Sequence, residues 1–306
     1  MHLVTPVTVM MTRGRGAQRA VLPAPQGTGG AFIGISGYTY AGWRGAFYPA
    51  GLSPRHWLRF ASRAFNSIEL NGTFYSLKHP SVFQRWVDET PDDFVFAVKG
   101  SRFITHNLKL ARAEGALANF LASGVLALGR KTGPFLWQLP DTYRFDRARL
   151  EAFLRLLPHD TRAAARLASR HDDRLRRGAL VTAKEAIVYR HALEPRHPSY
   201  FVPECYDLLR EHDVALVIAD TAGTYPCAEV MTASFVYVRL HGSEVLYTSR
   251  YSDEELDRWS DRVRQWARPA TGASRDVFVY FDNDAKAHAP GDARRLAERV
   301  SGLVTV

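Results

Sequence analysis

Residues 67–75 read Ser67-Ile68-Glu69-Leu70-Asn71-Gly72-Thr73-Phe74-Tyr75, and their alternation decides the fold. On a strand, Ile68 and Leu70 share one face while Glu69 and Asn71 share the other. A strand covered on both faces normally reads as a near-continuous apolar run. This one sets a carboxylate and an amide where a second apolar face is expected. A barrel wall resolves the conflict. Ile68 and Leu70 face an outer layer of helices, and Glu69 and Asn71 face the lumen, near a pocket at the strand's carboxyl end.

The same reading extends along the chain. Strand candidates fall at 32–37, 67–71, 94–99, 134–138, 187–194, 214–219, 234–241 and 276–282. Helix candidates fall between them, near 53–65, 80–89, 108–128, 146–157, 199–212, 254–268 and 290–302. Ser53-Pro54 puts proline in a first helical turn, and Ser252-Asp253-Glu254-Glu255 offers a cap with acids on the positive end of the helix dipole. Strands alternating with helices over some 270 residues predict an α/β fold, a single (β/α)8 TIM-type barrel, from 31 to 306. Thr221 to Ala233 is short and marked by Gly and Pro, so the sixth helix is expected to be short or missing. Residues 1–30 carry Arg13, Arg15 and Arg19, no acid, and a Pro/Gly-rich run; a disordered or poorly ordered N-terminal extension is expected, with a transit peptide as the alternative.

Composition narrows the chemistry. Lys and Arg outnumber Asp and Glu by 40 to 31, a formal charge of +9, which favours anionic partners: phosphate-bearing small molecules or nucleic acid. Arg162, Arg166 and Arg170 recur at helical spacing within a basic segment, 158–185, readable as a solvated face or an anion-tracking arm. No G-x-G-x-x-G follows the first strand, so no dinucleotide is expected. Cys205 and Cys227 lack zinc-site spacing and suit a reducing compartment. No apolar run has the length of a membrane span, so no membrane partner is expected, and the residues favour no particular oligomeric state.

Helix-facing apolar residues fix the phase of each strand. Val95, Ala97 and Lys99 then point inward on the third, Leu136 and Gln138 on the fourth if Trp137 and Leu139 face out, Glu194 at the tip of the fifth, and Tyr237, Arg239 and His241 on the seventh. The sixth strand ends at Asp220 and the eighth in Asp282-Asn283-Asp284. Polar residues thus gather at the carboxyl ends, where barrel enzymes keep their sites. Candidate catalytic residues are Glu69, Glu194 and Asp220 as bases or metal ligands, Lys99 and Arg239 as anion holders, and His241 as proton shuttle. Glu69 could pair with Lys99, and Asp220 with Arg239. Ser36, Tyr38, Trp43, Arg44, Asn71, Tyr75, His106, Gln138, Arg196, His197, Asn283 and Asp284 complete the candidate substrate site. Its aromatics suit a sugar or base, although Trp43, Phe47 and Tyr48 equally suit a lid over the first helix. A divalent ion is compatible with these acids, but no H-x-H, H-E-x-x-H or D-x-D-x-D motif asks for one. The competing structural reading is a salt-bridge plug closing the lumen.

These segments resemble the domain of unknown function 72 family, also called YecE-like. The likeness runs through Gly34-Ile35-Ser36-Gly37-Tyr38, Trp43-Arg44-Gly45, Phe47-Tyr48-Pro49, Ile68 to Asn71 with Thr73-Phe74-Tyr75, Phe94 to Lys99 with Ile104-Thr105-His106, Leu136 to Pro140, Arg190 to His197, Tyr237 to Gly242 and Tyr280 to Asp284. It implies a (β/α)8 barrel in a cytoplasmic family and supplies no reaction. Gly72 and Asp282 depart from the pattern, where a small polar residue and an asparagine are more common. The expected function is an enzyme on an anionic phosphate-bearing substrate, such as a metal-assisted phosphoester or nucleic-acid hydrolase. The alternatives are a sugar or sugar-phosphate isomerase or lyase, and a non-catalytic ligand- or nucleic-acid-binding protein.

Overall fold

A computed structural model describes residues 28–175 and 178–304. The expected N-terminal extension up to residue 27, and Arg176 and Arg177 of the basic segment, lie outside the described residues. The strands are β1 (Ala31–Ser36), β2 (Ser67–Leu70), β3 (Val95–Lys99), β4 (Thr132–Gln138), β5 (His191–Glu194), β6 (Val214–Leu216), β7 (Ile218–Asp220), β8 (Phe235–Leu240) and β9 (Asp276–Phe281). All pairings are parallel, in the order β6-β5-β4-β3-β2-β1-β9-β8-β7. The two outermost strands are halves of one chain segment interrupted at Val217. The lower half pairs with β5 and the upper with β8, while Val217 N–H donates to Leu193 O at 2.9 Å. The ring therefore nearly closes through 214–220, the sixth of eight strand positions, each half pairing on one side only.

The outer layer comprises α1 (Trp57–Ala64), the one-turn α2 (Gly72–Tyr75), α3 (Pro80–Asp88), α4 (Glu114–Ala122), α5 (Arg147–Leu156), α6 (Thr161–Ala168), α7 (Pro203–Glu211), α8 (Asp253–Ala267) and α9 (His288–Arg299). No helix forms between β7 and β8, in keeping with the Gly- and Pro-marked link. Thr232 covers that face instead: its hydroxyl donates to Val214 O and accepts from Leu216 N–H, both at 2.7 Å. Ser252 and Glu255 form a reciprocal capping box at the start of α8. The helix expected over 108–128 shrinks to α4, because Lys109, Leu110 and Arg112 take positive φ and Gly124, at φ 132°, ends it. Among the described residues no helix is long and apolar enough to cross a membrane.

One buried cation holds this layer together. Lys131 donates to Val87 O (2.8 Å), Thr90 O (2.9 Å) and Thr90 Oγ1 (3.2 Å), placing an ammonium on the orphan carbonyls after α3. Lys131→Met should lower stability by about 2 kcal/mol in urea titrations, the scale of lost bonds to a charged donor. A change under about 0.5 kcal/mol would show the lysine to be incidental.

The lumen follows the period-two reading. Its lower layers are apolar, with Phe32, Val95, Ala97, Leu136, Ala192, Ala215, Val217, Ala219, Phe235, Tyr237, Phe278 and Tyr280 in mutual contact. The ambiguous β4 resolves with Leu136 inward and Trp137 outward, its indole donating to His191 Nδ1 at 3.2 Å. A filled floor leaves only the carboxyl rim for polar chemistry.

Candidate active site

Arg239, at the upper end of β8, is completely buried and organises the rim. Its Nε and Nη2 grip Glu69 at 3.1 and 2.9 Å, a two-pronged pair. Nη1 donates to Glu194 Oε2 at 2.8 Å, and Nη2 also reaches Asp282 Oδ2 at 2.9 Å and Ser36 Oγ at 3.1 Å. Glu69 further accepts the hydroxyls of Tyr237 (2.6 Å) and Ser36. Four donors fill the lone pairs of that carboxylate, so it is positioned structure, not an open base. Glu194 is nearly as fully occupied: its Oε1 accepts from Gln138 Nε2 at 3.1 Å and Arg196 Nε at 3.0 Å. Burial opposes ionisation of Glu194, but Arg239 and Arg196 reverse that and hold its carboxyl well below the usual range.

His241 sits behind the guanidinium. Arg239 Nη1 lies 3.2 Å from its Nε2, and a guanidinium only donates, so Nε2 accepts and the ring proton belongs to Nδ1. That nitrogen is 3.0 Å from Asp282 Oδ2 but off the line of a hydrogen bond, so the contact is chiefly electrostatic. His241 is fully buried beside Arg239 and Asp282, and its Nδ1 has no hydrogen-bond partner among the described residues.

Above this cluster opens a cavity of about 820 Å³. Tyr38, Tyr40, Phe74, Trp86 and Tyr247 form apolar walls, and Asn71, Lys78, Arg85, Lys99, His106, Gln138, Arg196, Asp282 and Asp284 supply polar atoms. Tyr38 is fixed by Trp86, whose indole donates to its hydroxyl at 2.8 Å, and by Tyr48, which donates to its carbonyl at 2.6 Å. Arg196 is tied to Tyr247 OH at 3.1 Å. Lys78, Arg85 and Lys99 have no carboxylate within 4 Å among the described residues. Asn71 gives Nδ2 to Ser36 Oγ at 2.9 Å, while its buried Oδ1 has no partner among the described residues.

Proton affinities here are pushed apart. Burial, then repulsion from Arg239, lowers the Lys99 ammonium to about 8, with Glu69, Asp282 and Glu194 opposing. Burial, then Arg102 and Lys99, lowers His106 to about 4, so that ring is neutral near pH 7. Burial and then Asp282 raise Asp284. A lowered lysine and a raised carboxylate thus line one cavity, a divergence that proton-transfer sites use.

The structure brings Lys99, Glu69, Glu194, Arg239, His241, Ser36, Tyr38, Asn71, His106, Gln138, Arg196 and Asp284 to this rim, with Tyr75 at its outer lip, 73% exposed. It places five candidates elsewhere. Asp220 does not meet Arg239: the inward residue of β7 is Ala219, and Asp220 turns out to accept from Tyr251 OH at 3.0 Å. Asn283 donates to Ser249 O and Asp292 Oδ2, both at 2.9 Å, inside a loop brace. His197 caps a turn, accepting from Ser199 N–H at 3.1 Å. Trp43 packs with Phe47 and Tyr48 as the lid, its indole donating to Asp284 O at 3.0 Å, and Arg44 lies over Trp57. Glu69 pairs with Arg239, not Lys99. The sequence-derived site omits Asp282, although two-residue spacing from the inward Tyr280 points to it; Tyr40, Lys78, Arg85, Trp86 and Tyr247 give no periodic signal. Arg174 of the basic segment lies over the Phe103 ring, in the turn after β3, at 5.4 Å.

The acids do not fit a resident divalent ion. Arg239 fills the position among Glu69, Glu194 and Asp282 that a metal would take, and among the described residues no three His, Cys, Asp or Glu side chains are placed to share one.

The model of a family described as "Protein of unknown function DUF72" matches residues 32–304. UPF0759 protein YecE of Escherichia coli (strain K12) is 27% identical over 235 residues, covering 69% of this chain and 75% of its own. UPF0759 protein YunF of Bacillus subtilis (strain 168) is 23% identical over 302 residues, covering 87% and 93%. A crystal structure of a DUF72 family protein from Thermotoga maritima superposes with a TM-score of 0.69 at 24% identity, over 89% of this chain and 99% of that one. One from Enterococcus faecalis gives 0.66 at 16% identity, over 89% and 95%. At these identities the structural likenesses speak to the fold.

Proposed function

The chain belongs to the DUF72 family, described only as proteins of unknown function, and from that premise we propose an enzyme acting on a small phosphate-bearing sugar or carbonyl compound, in the isomerase or lyase class. One observation carries the reading: Lys78, Arg85 and Lys99 converge on one cavity without carboxylate partners among the described residues, whereas Arg196 on its wall and Arg239 beneath it are paired with carboxylates. Unneutralised cations in a half-enclosed cup favour an anionic ligand. Lys78 and Arg85 lie toward the rim and suit the phosphate. Asn71 Oδ1, an acceptor lacking a donor, suits a substrate hydroxyl. Asp284 and Lys99, with proton affinities displaced toward neutrality, suit proton transfer at the reacting carbon.

The second reading is phosphoester or nucleic-acid hydrolysis. Exposed Tyr75 on the cavity and exposed Phe103 in the turn after β3, with Arg174 on Phe103, favour it, since stacking rings beside cations suit a single strand. The filled oxygens of Glu69 and Glu194 count against a metal-assisted version.

Calorimetry with ribose 5-phosphate and inorganic phosphate tests the first reading. Arg85→Ala and Lys78→Ala should each weaken binding about tenfold. Raising pH from 7 to 9 should weaken it about three- to tenfold, because the Lys99 ammonium loses its proton near pH 8. Binding indifferent to all three changes refutes the proposal, and an oligonucleotide bound with a steep salt dependence supports the second reading instead.

A further inference from the structure

We infer that Lys99 is an amine nucleophile that forms an iminium with an aldehyde or ketone carbon of the substrate. The inference deepens the reading above and rests on it. Lys99 ends β3 in the inward phase, directly above Ala97, with the cavity over its amine. Only 8% of the residue is exposed. Its Nζ makes no hydrogen bond and no ion pair among the described residues; it lies over the face of Phe74, 4.5 Å from the ring centre. The contrast with Lys131 is informative. That lysine is similarly buried, but its three donors are satisfied by Val87 and Thr90, as a structural ammonium requires. Lys99 is buried and left open.

Residue choice points the same way. Only six of the 40 basic side chains are lysines: Lys78, Lys99, Lys109, Lys131, Lys184 and Lys286. An arginine would serve any purely ionic purpose, as at 196 and 239, but a guanidinium cannot give up its proton. The lysine backbone is anchored by Thr73, whose hydroxyl contacts Lys99 O at 2.7 Å, and Gly100 N–H donates to Leu136 O at 2.8 Å. These bonds fix the backbone from which the amine extends over Phe74. Burial and Arg239 bring its proton affinity to about 8, so an appreciable fraction is neutral amine near pH 7.5.

The step balances without a redox partner. The Nζ lone pair forms a C–N bond to the carbonyl carbon while the C=O π pair moves to oxygen. That oxygen takes a proton as Nζ releases one, giving a carbinolamine. A second proton lets the C–O bond break, water leaves, and the nitrogen pair forms C=N⁺. We assign the relay of those protons to Asp284, a carboxyl that lines the same cavity, as does neutral His106. The cationic imine then draws electrons from the neighbouring carbon, which is what an isomerase or lyase needs. Water reverses the link.

The test is reductive trapping on the full-length protein. Glyceraldehyde 3-phosphate, dihydroxyacetone phosphate and phosphate-free propionaldehyde are each added at low excess with sodium cyanoborohydride, followed by intact mass and peptide mapping. One adduct per chain on Lys99 is expected, forming faster as pH rises from 6.5 to 8 and absent in Lys99→Met and Lys99→Arg. Retained thermal melting verifies that both variants fold. Labelling of Lys99 by propionaldehyde, with no advantage for the phosphates, supports the nucleophile and removes the phosphate reading. Calorimetric phosphate binding without a Lys99 adduct from either phosphorylated carbonyl overturns the nucleophile alone. Adducts spread over Lys109, Lys184 and Lys286, unchanged in Lys99→Met, overturn it as well.

Discussion

Arg239→Met is expected to lower folding stability by about 4 kcal/mol at pH 7, the scale seen when one partner of a buried ion cluster is removed. The thioether fills much of the same volume but leaves buried Glu69 and Asp282 without their guanidinium and Glu194 with Arg196 alone. The pH dependence gives this loss a signature. In the native protein Arg239 holds Glu194 and Asp282 below their usual carboxylate range despite burial. Their stabilisation is therefore present above the unfolded pKa, about 4, and lost only as pH falls through the lower folded values. In the variant the largest opposition to burial is gone, leaving Arg196, His241 and Lys99, so both carboxyls rise relative to the native protein. The folded variant then holds more protons than the folded native protein as pH falls, so acidification costs it less stability. Urea titrations at pH 7 and 4.5 should show the gap between the two proteins narrowing. A deficit under about 1 kcal/mol at pH 7, or a gap that widens on acidification, would show that Arg239 is not the keystone. Arg239→Lys should fall between, keeping a charge and losing the two-pronged grip on Glu69.

That arrangement marks the boundary of what the sequence reveals. Period-two alternation is enough to orient Glu69, Lys99, Glu194, Tyr237 and Arg239, because outward positions must meet helices and admit only apolar side chains. It does not say how many donors each acid receives. Glu69 reads as an open base on the strand, yet four bonds from β1 and β8 saturate it. Asp220 shows the converse error: it belongs to the strand beside Arg239, but adjacency without phase misleads, and Tyr251 claims it from outside the ring. The cations that give the cavity its charge, Lys78 and Arg85, come from α3 and the turn before it, where strand periodicity is silent. What is legible is therefore the direction of a strand residue, and what is hidden is the partner that chain folding brings from a distant loop.

Gly34→Ala is the sharpest expected failure among changes outside the charged cluster, with a cost of about 3 kcal/mol or more. Gly34 lies in β1 with Ser67 of β2 on one side and Tyr280 of β9 on the other. The Tyr280 hydroxyl and Ser67 Oγ meet at 2.7 Å, joining β9 to β2 across the intervening strand. A methyl on Gly34 would come within 1.9 Å of Ser67 O, a backbone atom that no rotamer can move. Relief requires β1 and β2 to separate, and two residues further along these strands Ser36 bonds to Glu69. The strain is thus transmitted straight to the floor of the cavity, so a folded remnant should also lose phosphate affinity. Gly291→Ala supplies the contrast. Gly291 lies exposed within α9, an added methyl meets nothing within 4 Å, and removal of glycine from a helix should raise stability by about 0.5–1 kcal/mol. Thermal and urea unfolding of both variants read the two signs directly. If Gly34→Ala were tolerated as well as Gly291→Ala, β1 would not be pressed against β2, and the link from strand packing to the Arg239 cluster would fail with it.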